Sequence, residues 1–135
     1  MDNYEATEKF RELLEVMARL RSETGCSWDR EQTHVSLKPC LLEETYELLD
    51  ALDNGEPKKI QEELGDVLLQ VIFHSQIATE ENRFSIKEVI RQLTEKLVRR
   101  HPYVFAGEPL PQDSAAVLKQ RMQIKAEEKK NSGET

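Results

Sequence analysis

The sequence predicts an all-α fold, a bundle of four to five helices, on the basis of two observations. Apolar side chains recur three and four residues apart, as in amphipathic helices, and no stretch of useful length alternates as a β-strand does. Proline, glycine and capping residues stand between these periodic segments, where helices begin and end. A chain of 135 residues favours a single domain, which we place at residues 1–126, with a polar, disordered tail at 127–135.

The first predicted helix runs from residue 4 to about residue 23 and stops before Gly25. Residues 26–38 have no helical period and predict a long ordered loop around Trp28. The apolar and small side chains that lie close to the helical period on the first helix are Phe10, Leu13, Leu14, Met17, Ala18 and Leu20.

Two helices follow, with a short break between them. Pro39 fits the first position of a helix, which the Asn-Gly pair at residues 54–55 ends. Pro57 starts the next helix, which extends to about Thr79. Residues 64–73 are apolar around almost the whole circumference of this helix, which predicts that it is buried on all sides.

The C-terminal part of the chain predicts two more helices. Ser85 and Glu88 match a capping box in front of an apolar helical period. This helix ends where a stretch rich in proline begins, residues 102–113. Asp113 or Ser114 then caps a final helix.

The negative charge of the chain is concentrated in one segment. Residues 43–66 contain nine acidic side chains and two lysines, a net charge of −7, which equals the net charge of the whole chain. The isoelectric point is near 5.1 and no basic stripe is present, which argues against a nucleic-acid polymer as partner.

The sequence also predicts a cytoplasmic protein with no membrane partner. Its longest apolar stretch is far shorter than the ~20 residues that cross a bilayer, and its first residues lack the basic start and apolar run of a signal peptide. Cys26 and Cys40 form neither a disulfide framework nor a zinc motif, so a reducing compartment is expected.

Two carboxylate pairs lie within the acidic segment. Glu44 and Glu47 are three residues apart on one helix, and Glu63 and Asp66 are three apart on the next, so each pair shares a helix face. Like charges at this spacing cost a helix about 0.2–0.5 kcal/mol per pair. The two carboxylate pairs must therefore have a role other than stabilising their helices.

The two helices support different interpretations of these acids. On the first, the acids lie opposite its leucines, as on an ordinary solvated face: Glu43, Glu44 and Glu47 against Leu41, Leu48 and Leu52. On the second, Asp66 lies on an apolar stripe, and an ionised buried carboxylate needs a cation beside it. Four converging carboxylates with no thiolate or imidazole favour Mg²⁺, with Mn²⁺ as a substitute. Gly65 leaves room there for a packed helix or a ligand.

Other catalytic motifs find no support. The five glycines are too dispersed for a phosphate-binding loop. A carboxylate-bridged di-iron site needs two Glu-x-x-His motifs, and only Glu31 with His34 fits. His74 is interpreted as a hydrogen-bonded histidine near the core. No cysteine or serine pairs with a histidine at a spacing that suggests covalent catalysis.

Four ordered blocks of sequence resemble the MazG family of nucleoside triphosphate pyrophosphohydrolases. They are CSWDREQTH at residues 26–34, LLEETYE at 41–47, EELGDVLLQ at 62–70 and RRHPYVF at 99–105. The family signature is ExxE followed by ExxD after a spacer, and both carboxylate pairs fit it. The resemblance implies the all-α fold of MazG-like enzymes, a homodimer or homotetramer, and Mg²⁺-dependent hydrolysis of nucleoside and deoxynucleoside triphosphates to the monophosphate and pyrophosphate.

The resemblance also implies roles for the acidic residues. Glu44, Glu47, Glu63 and Asp66 would be metal ligands, and Glu43 and Glu62 would support them or bind a further ion. Apart from the resemblance, the need to activate the attacking water leads us to expect a catalytic carboxylate, either Glu43 or Glu47, that orients or deprotonates it.

By the same resemblance, two lysines, an arginine and a tryptophan would bind the substrate. Lys59, Lys96 and Arg100 would contact the triphosphate, although cations near residue 100 also complement the C-terminus of a helix. Trp28 would stack on the base or anchor its loop in the core. The chain departs from the family pattern at Ser27, where proline is usual, and at Arg121, where many members have tryptophan.

Two other functions remain open from the sequence. A non-catalytic helical module could dock a basic partner on its acidic face, and a degenerate family member could bind nucleotide without hydrolysing it. Saturable binding of Mg²⁺ separates the module from the enzyme, and an activity assay separates the degenerate member.

Overall fold

The computed structural model describes residues 2–133, which form seven helices and no strand, so the all-α prediction is confirmed. Contacts between residues divide the chain into two compact units, 1–86 and 87–135. The prediction of a single domain over residues 1–126 stays a prediction. The helices are α1 (Tyr4–Leu20), α2 (Ser27–Glu31), α3 (Lys38–Asn54), α4 (Pro57–Glu80), α5 (Ile86–Arg99), α6 (Pro102–Phe105) and α7 (Ser114–Asn131).

Helices α3 and α4 form a hairpin whose limits follow the sequence closely. Pro39 lies in the first turn of α3, where its missing N–H is not needed. Gly55 ends α3 in the left-handed conformation, with φ of 80°, and its N–H donates to the carbonyl of Ala51. Pro57 begins α4 two residues later, so the connection is short and the two helices pack side by side.

Helix α1 ends earlier than the sequence predicts. The turn at residues 21–25 brings the chain back so that the N–H of Cys26 donates to the carbonyl of Leu20 at 2.8 Å. A Cβ atom on Gly25 would collide with the carbonyl oxygens of Arg19 and Leu20, so this close approach requires glycine.

Helices α2 and α6 are absent from the prediction. Each is too short, at five and four residues, to display the 3.6-residue period from which helices were predicted. The prediction that residues 26–38 are a loop is therefore wrong for the part that forms α2, and the turn-rich stretch after residue 101 begins with α6.

The core of the first unit lies between α1, α4 and the start of α3. Its buried side chains are Met17, Leu37, Ile72, Phe73 and Ile77, and the partly buried ones packed against them are Phe10, Leu13, Leu14, Leu20, Cys40 and Ile86. The prediction that α4 is buried on all sides is wrong for the single chain. Its side chains Leu64, Leu68, Leu69 and Val71 are 37–52% exposed, because α1 and α3 of the first unit leave part of the surface of α4 uncovered.

In the second unit, ion pairs connect α5 and α7. Arg99 and Arg100 both bind the carboxylate of Glu128, at 2.6 and 2.8 Å. Asp113 caps α7, as predicted, by accepting a hydrogen bond from the N–H of Ala116. Helix α7 continues to Asn131, into the predicted tail, and the last two residues of that tail lie outside the described residues.

Among the helices described, none combines the length and apolar character needed to cross a membrane.

Candidate metal centre

The α3–α4 hairpin brings the two carboxylate pairs together. Glu44, Glu47, Glu63 and Asp66 each place one carboxylate oxygen so that all four atoms lie within 4.8 Å of one another. Of the described residues, these four make the one group with at least three potential metal ligands among His, Cys, Asp and Glu. The predicted convergence of the carboxylates is therefore present in the first unit.

The side of α3 that packs against α4 is not the one that the sequence favours. The acidic side, with Glu44 and Glu47, faces α4, whereas Leu41 and Leu52 are 40% and 50% exposed. The interpretation of the α3 acids as a solvated face is thus wrong for Glu44, which is partly buried, whereas Glu43 and Glu47 are exposed. The small Ala51, which is buried, lets the two helices approach on this side.

Two buried oxygen atoms in the cluster have no hydrogen-bond partner: Oε2 of Glu44 and Oε2 of Glu63. Glu63 as a whole is only 3% exposed. A buried, unpaired carboxylate oxygen is costly, so these atoms indicate a missing donor or cation. The two unpartnered oxygens are therefore consistent with a metal-binding role for the cluster.

Electrostatics within the cluster oppose ionisation. The pKa of Glu44 is raised from its ordinary value, first by burial and then by the charge of Glu47. The pKa of Asp66 is also raised, first by burial and then by the charge of Glu63. A dication among these oxygens would reverse both effects, because it favours the charged form of each carboxylate.

Lys59 partly neutralises the cluster. Its Nζ lies 3.0 Å from Oε1 of Glu63 and 3.8 Å from Oε2 of Glu62, and the hydrogen bond with Glu63 raises the lysine pKa. The lysine lies at a cavity of about 280 Å³, lined by Glu47, Asp50, Ala51, Asn54, Lys59 and Glu63. Lys59 thus balances only part of the negative charge of the carboxylates. The cavity beside it remains open.

The donor set fits a hard dication. Mg²⁺ binds oxygen ligands at 2.0–2.1 Å in an octahedron, so ligand atoms on opposite sides lie about 4 Å apart. The four carboxylate oxygens lie within 4.8 Å of one another, which is close to such separations. The absence of sulfur and nitrogen ligands favours Mg²⁺ or Mn²⁺ over zinc or copper.

The other predicted site residues are distributed over both units. Glu43 is exposed on α3, one turn before Glu47. Trp28 is 56% exposed on α2, so anchoring of its loop by burial of the indole is wrong. Lys96 on α5 and Arg100 directly after it are partly buried, and Arg100 forms an ion pair with Glu128. Their contacts with a triphosphate stay predictions.

Several polar contacts and buried polar groups of the first unit were not predicted from the sequence. Gln70 is 5% exposed and its Oε1 has no partner. Arg21 binds Glu80, and His34 binds His74. The last contact confirms the hydrogen bond expected for His74, but its partner lies 40 residues away, and no local spacing could reveal that partner.

Comparisons with known proteins support the family. Residues 32–105 match the MazG nucleotide pyrophosphohydrolase domain. The chain is 54% identical over 125 residues to the nucleoside triphosphate pyrophosphohydrolase/pyrophosphatase MazG of Thermotoga maritima. The aligned residues are 93% of this chain and 47% of that protein. It is 47% identical over 118 residues to the nucleoside triphosphate pyrophosphohydrolase of Escherichia coli K12, which covers 87% of this chain and 44% of that protein.

A third relative is longer still. The uncharacterized protein YabN of Bacillus subtilis is 48% identical over 117 residues, which are 87% of this chain and 24% of that protein. The chain therefore spans about half or less of these relatives. The domain match covers more than half of the chain and includes both carboxylate pairs, and on these grounds the chain belongs to the MazG family.

Proposed function

We propose that this chain hydrolyses nucleoside and deoxynucleoside triphosphates to the monophosphate and pyrophosphate, with Mg²⁺ or Mn²⁺ as cofactor, and removes surplus or aberrant nucleotides in the cytoplasm. The observation that carries the proposal is the pair of buried, unpartnered oxygens in the four-carboxylate cluster of the α3–α4 hairpin. The printed activity of the relatives supports the substrate class.

The negative charges of the substrate and of the carboxylate cluster set the first requirement for substrate binding. A nucleoside triphosphate brings about four negative charges to four carboxylates, so the two repel each other unless dications intervene. When bound, such ions supply neutralisation of the triphosphate and polarisation of the α-phosphate. Glu44, Glu47, Glu63 and Asp66 would hold them.

The carboxylates at the edge of the cluster are suited to proton transfer. Glu47 is exposed, and Glu43 is exposed one turn earlier on α3, so either can meet a water molecule. In the proposed step, one of them accepts a proton as the water oxygen bonds to the α-phosphorus. The bond from that phosphorus to the bridging oxygen breaks, and pyrophosphate leaves.

Cations and an aromatic ring bind the rest of the substrate in this proposal. Lys59 already contacts Glu63 and lies at the cavity beside the cluster, so its ammonium can turn to a phosphate oxygen. Lys96 and Arg100 contribute further positive charge from α5. The exposed face of Trp28 stacks on the base.

We further propose that the chain acts as a homodimer or homotetramer. Apolar side chains on α4 are 37–52% exposed in the single chain, including Leu64, Leu68 and Leu69. Exposed apolar side chains in this number are typical of an interaction surface. A second copy would cover the side of α4 that the chain itself leaves open.

The test combines an activity panel with metal binding. Pyrophosphate release from common and damaged nucleotides is measured with and without Mg²⁺, and hydrolysis in ¹⁸O-labelled water locates the attacked phosphorus. We expect ¹⁸O in the monophosphate and a saturable rise of Tm with Mg²⁺. Label in pyrophosphate would contradict attack at the α-phosphorus. No turnover together with no Mg²⁺ effect would favour a non-catalytic interaction module.

A further inference from the structure

Trp28 combines high exposure with a very short helix. It is the one tryptophan of the sequence, it is 56% exposed, and it belongs to α2, which has five residues. A helix of this length does not hold its conformation in water by its own hydrogen bonds. The orientation of the Trp28 ring therefore depends on contacts from outside α2.

Arg21 supplies contacts of this kind at the C-terminal end of α2. Its Nη1 donates to the backbone carbonyls of Asp29 and Gln32, at 2.5 and 3.1 Å. Carbonyls at the end of a helix have no partner within the helix, and a cation there also interacts favourably with the helix dipole. One guanidinium nitrogen thus binds two carbonyls at the end of α2, and the carbonyl of Asp29 also accepts a longer hydrogen bond from the N–H of Gln32, at 3.4 Å.

The other side of the same guanidinium is fixed to α4. Nε and Nη2 of Arg21 donate to Oε2 and Oε1 of Glu80, both at 2.9 Å. The guanidinium also lies 5.6 Å from the centre of the Phe73 ring, and the arginine side chain is only 8% exposed. A buried, bidentate arginine is a rigid connection, because its planar group can bind all these partners in one orientation.

Apolar burial does not hold the segment around Trp28. No side chain of residues 26–36 is buried, and the remaining fixed contacts are polar. Gln32 Nε2 donates to the carbonyl of Trp28 at 2.9 Å, Arg30 binds the carbonyl of Glu23, and His34 binds His74. The exposed indole of Trp28 therefore contributes little apolar burial to the stability of this segment. Such an arrangement is typical of a surface prepared for a ligand.

We propose that Arg21 is a positioning residue that holds Trp28 ready to stack on the planar base of the nucleotide. This inference rests on the proposed function and adds a residue outside the metal centre. Arg21 does not touch the substrate in this proposal and acts only through Trp28. Base stacking on an aromatic side chain is sensitive to the orientation of the ring, so the anchor affects binding more than turnover.

The first arm of the test observes the ring directly. Because Trp28 is the sole tryptophan, the decay of its fluorescence anisotropy reports the motion of this one side chain. We expect slow decay in the unaltered protein and an added fast phase in Arg21→Lys, since lysine keeps the charge but cannot form the same fork. Arg11→Lys is the matched control, because Arg11 is exposed and pairs with Glu8 on its own helix. An unchanged decay in Arg21→Lys would overturn the proposal.

The second arm asks whether Arg21 acts through Trp28. We expect Arg21→Lys to raise KM for ATP about fivefold with little change in kcat, in line with the loss of one preordered side chain. Hydrolysis of inorganic tripolyphosphate, which has no base, should not change. In a Trp28→Ala background the effect of Arg21→Lys on KM should disappear. A KM effect that persists in that background would show a merely structural role and overturn the proposal.

Failure of the proposed function has a different signature. If the unaltered protein hydrolyses no triphosphate, the proposed function fails, and quenching of Trp28 fluorescence by ATP then decides this inference. Quenching that Arg21→Lys weakens would support it, and no quenching would overturn it. Should Arg21→Lys fold poorly, Glu80→Gln replaces it in both arms, because that variant removes the charge that orients the guanidinium.

Discussion

In the first unit, the side chains of His34 and His74 contact each other through their Nδ1 atoms. Their Nδ1 atoms are 2.7 Å apart, the ring planes differ by 4° and the ring centroids are 5.0 Å apart. Rings this nearly parallel, with so short a contact between nitrogens, share a hydrogen bond in which one Nδ1 donates and the other accepts. The pair connects the turn before α3 to α4 and requires one unprotonated nitrogen.

This contact predicts a loss of stability at acidic pH. The pKa of His74 is lowered from 6.5, first by burial and second by the charge of His34. The unfolded chain therefore binds a proton at His74 more readily than the folded chain, and the free energy of unfolding decreases as the pH falls through about 6.5. Above that pH the contribution is fully present. Urea unfolding at about pH 8 and about pH 5 measures it.

The histidine variants separate this effect from other titrations. His74→Gln should lower stability at the higher pH and show less decrease between the two. His101→Gln should keep the pH dependence of the unaltered protein, because it leaves the contact between His34 and His74 unchanged. The same pH dependence in His74→Gln would assign the loss to other groups.

Neutralising the acidic cluster should stabilise the metal-free protein and abolish activity. The raised pKa values of Glu44 and Asp66 mean that folding opposes their ionisation at neutral pH. Glu44→Gln should therefore raise the free energy of unfolding without metal by about 0.5–2 kcal/mol, the range of stabilising substitutions. It should remove the rise of Tm with Mg²⁺ and reduce pyrophosphate release at least a hundredfold, roughly 3 kcal/mol.

Asp53→Asn is the matched control for the cluster, because Asp53 is an exposed acid on the same helix outside the four ligands. It should retain both activity and the Mg²⁺ effect. If Glu44→Gln retained activity, the assignment of Glu44 as a metal ligand would be wrong.

Gly65→Ala should separate stability from function. Apart from the adjoining residues and backbone of α4 itself, no atom of the described residues lies within 4 Å of the position that a Cβ would take at Gly65, which lies between Glu63 and Asp66. Alanine is favoured over glycine within a helix by about 1 kcal/mol, so the variant should unfold at higher urea concentration. We expect kcat/KM to fall, because a ligand or a second copy needs this space. Unchanged activity would show that nothing approaches there.

The paired arginines of the second unit should hold one carboxylate ionised in strong acid. The pKa of Glu128 is lowered to about 2, first by its hydrogen bond from Arg100 and then by that from Arg99. A lowered folded pKa gives stability that is present above about 4.5 and is lost as the pH falls towards 2. A ¹³C NMR titration of the Glu128 carboxyl group checks the value. In Arg100→Leu the pKa should rise, and no rise would contradict the pairing.

A charge on the open side of α4 should dissociate the proposed oligomer. Leu68 is 40% exposed in the single chain. Leu68→Arg should convert a dimer or tetramer to a monomer in light scattering, because an arginine would be buried without a partner at the interface. Leu110→Arg changes a leucine that is 75% exposed and should leave the mass unchanged. A monomeric unaltered protein would refute the oligomer.

The sequence determined the long helices and the acidic residues of the site. Helical period, the prolines at residues 39 and 57 and the glycine at 55 are local signals, so α3 and α4 were predicted to within one residue. The spacing of the two carboxylate pairs is also local, because residues three apart share a helix face. These signals identified the four residues that converge in the structure.

Only the tertiary structure decided which faces and partners these elements take. The acidic side of α3 could face solvent or α4, and the structure places oxygens of Glu44 and Glu47 beside those of Glu63 and Asp66 on α4. Arg21 with Glu80 and His34 with His74 are separated by 59 and 40 residues, and no period relates residues so far apart. Helix propensity and periodicity act over a few turns, whereas these contacts depend on how completed helices pack, which the fold of the whole unit decides.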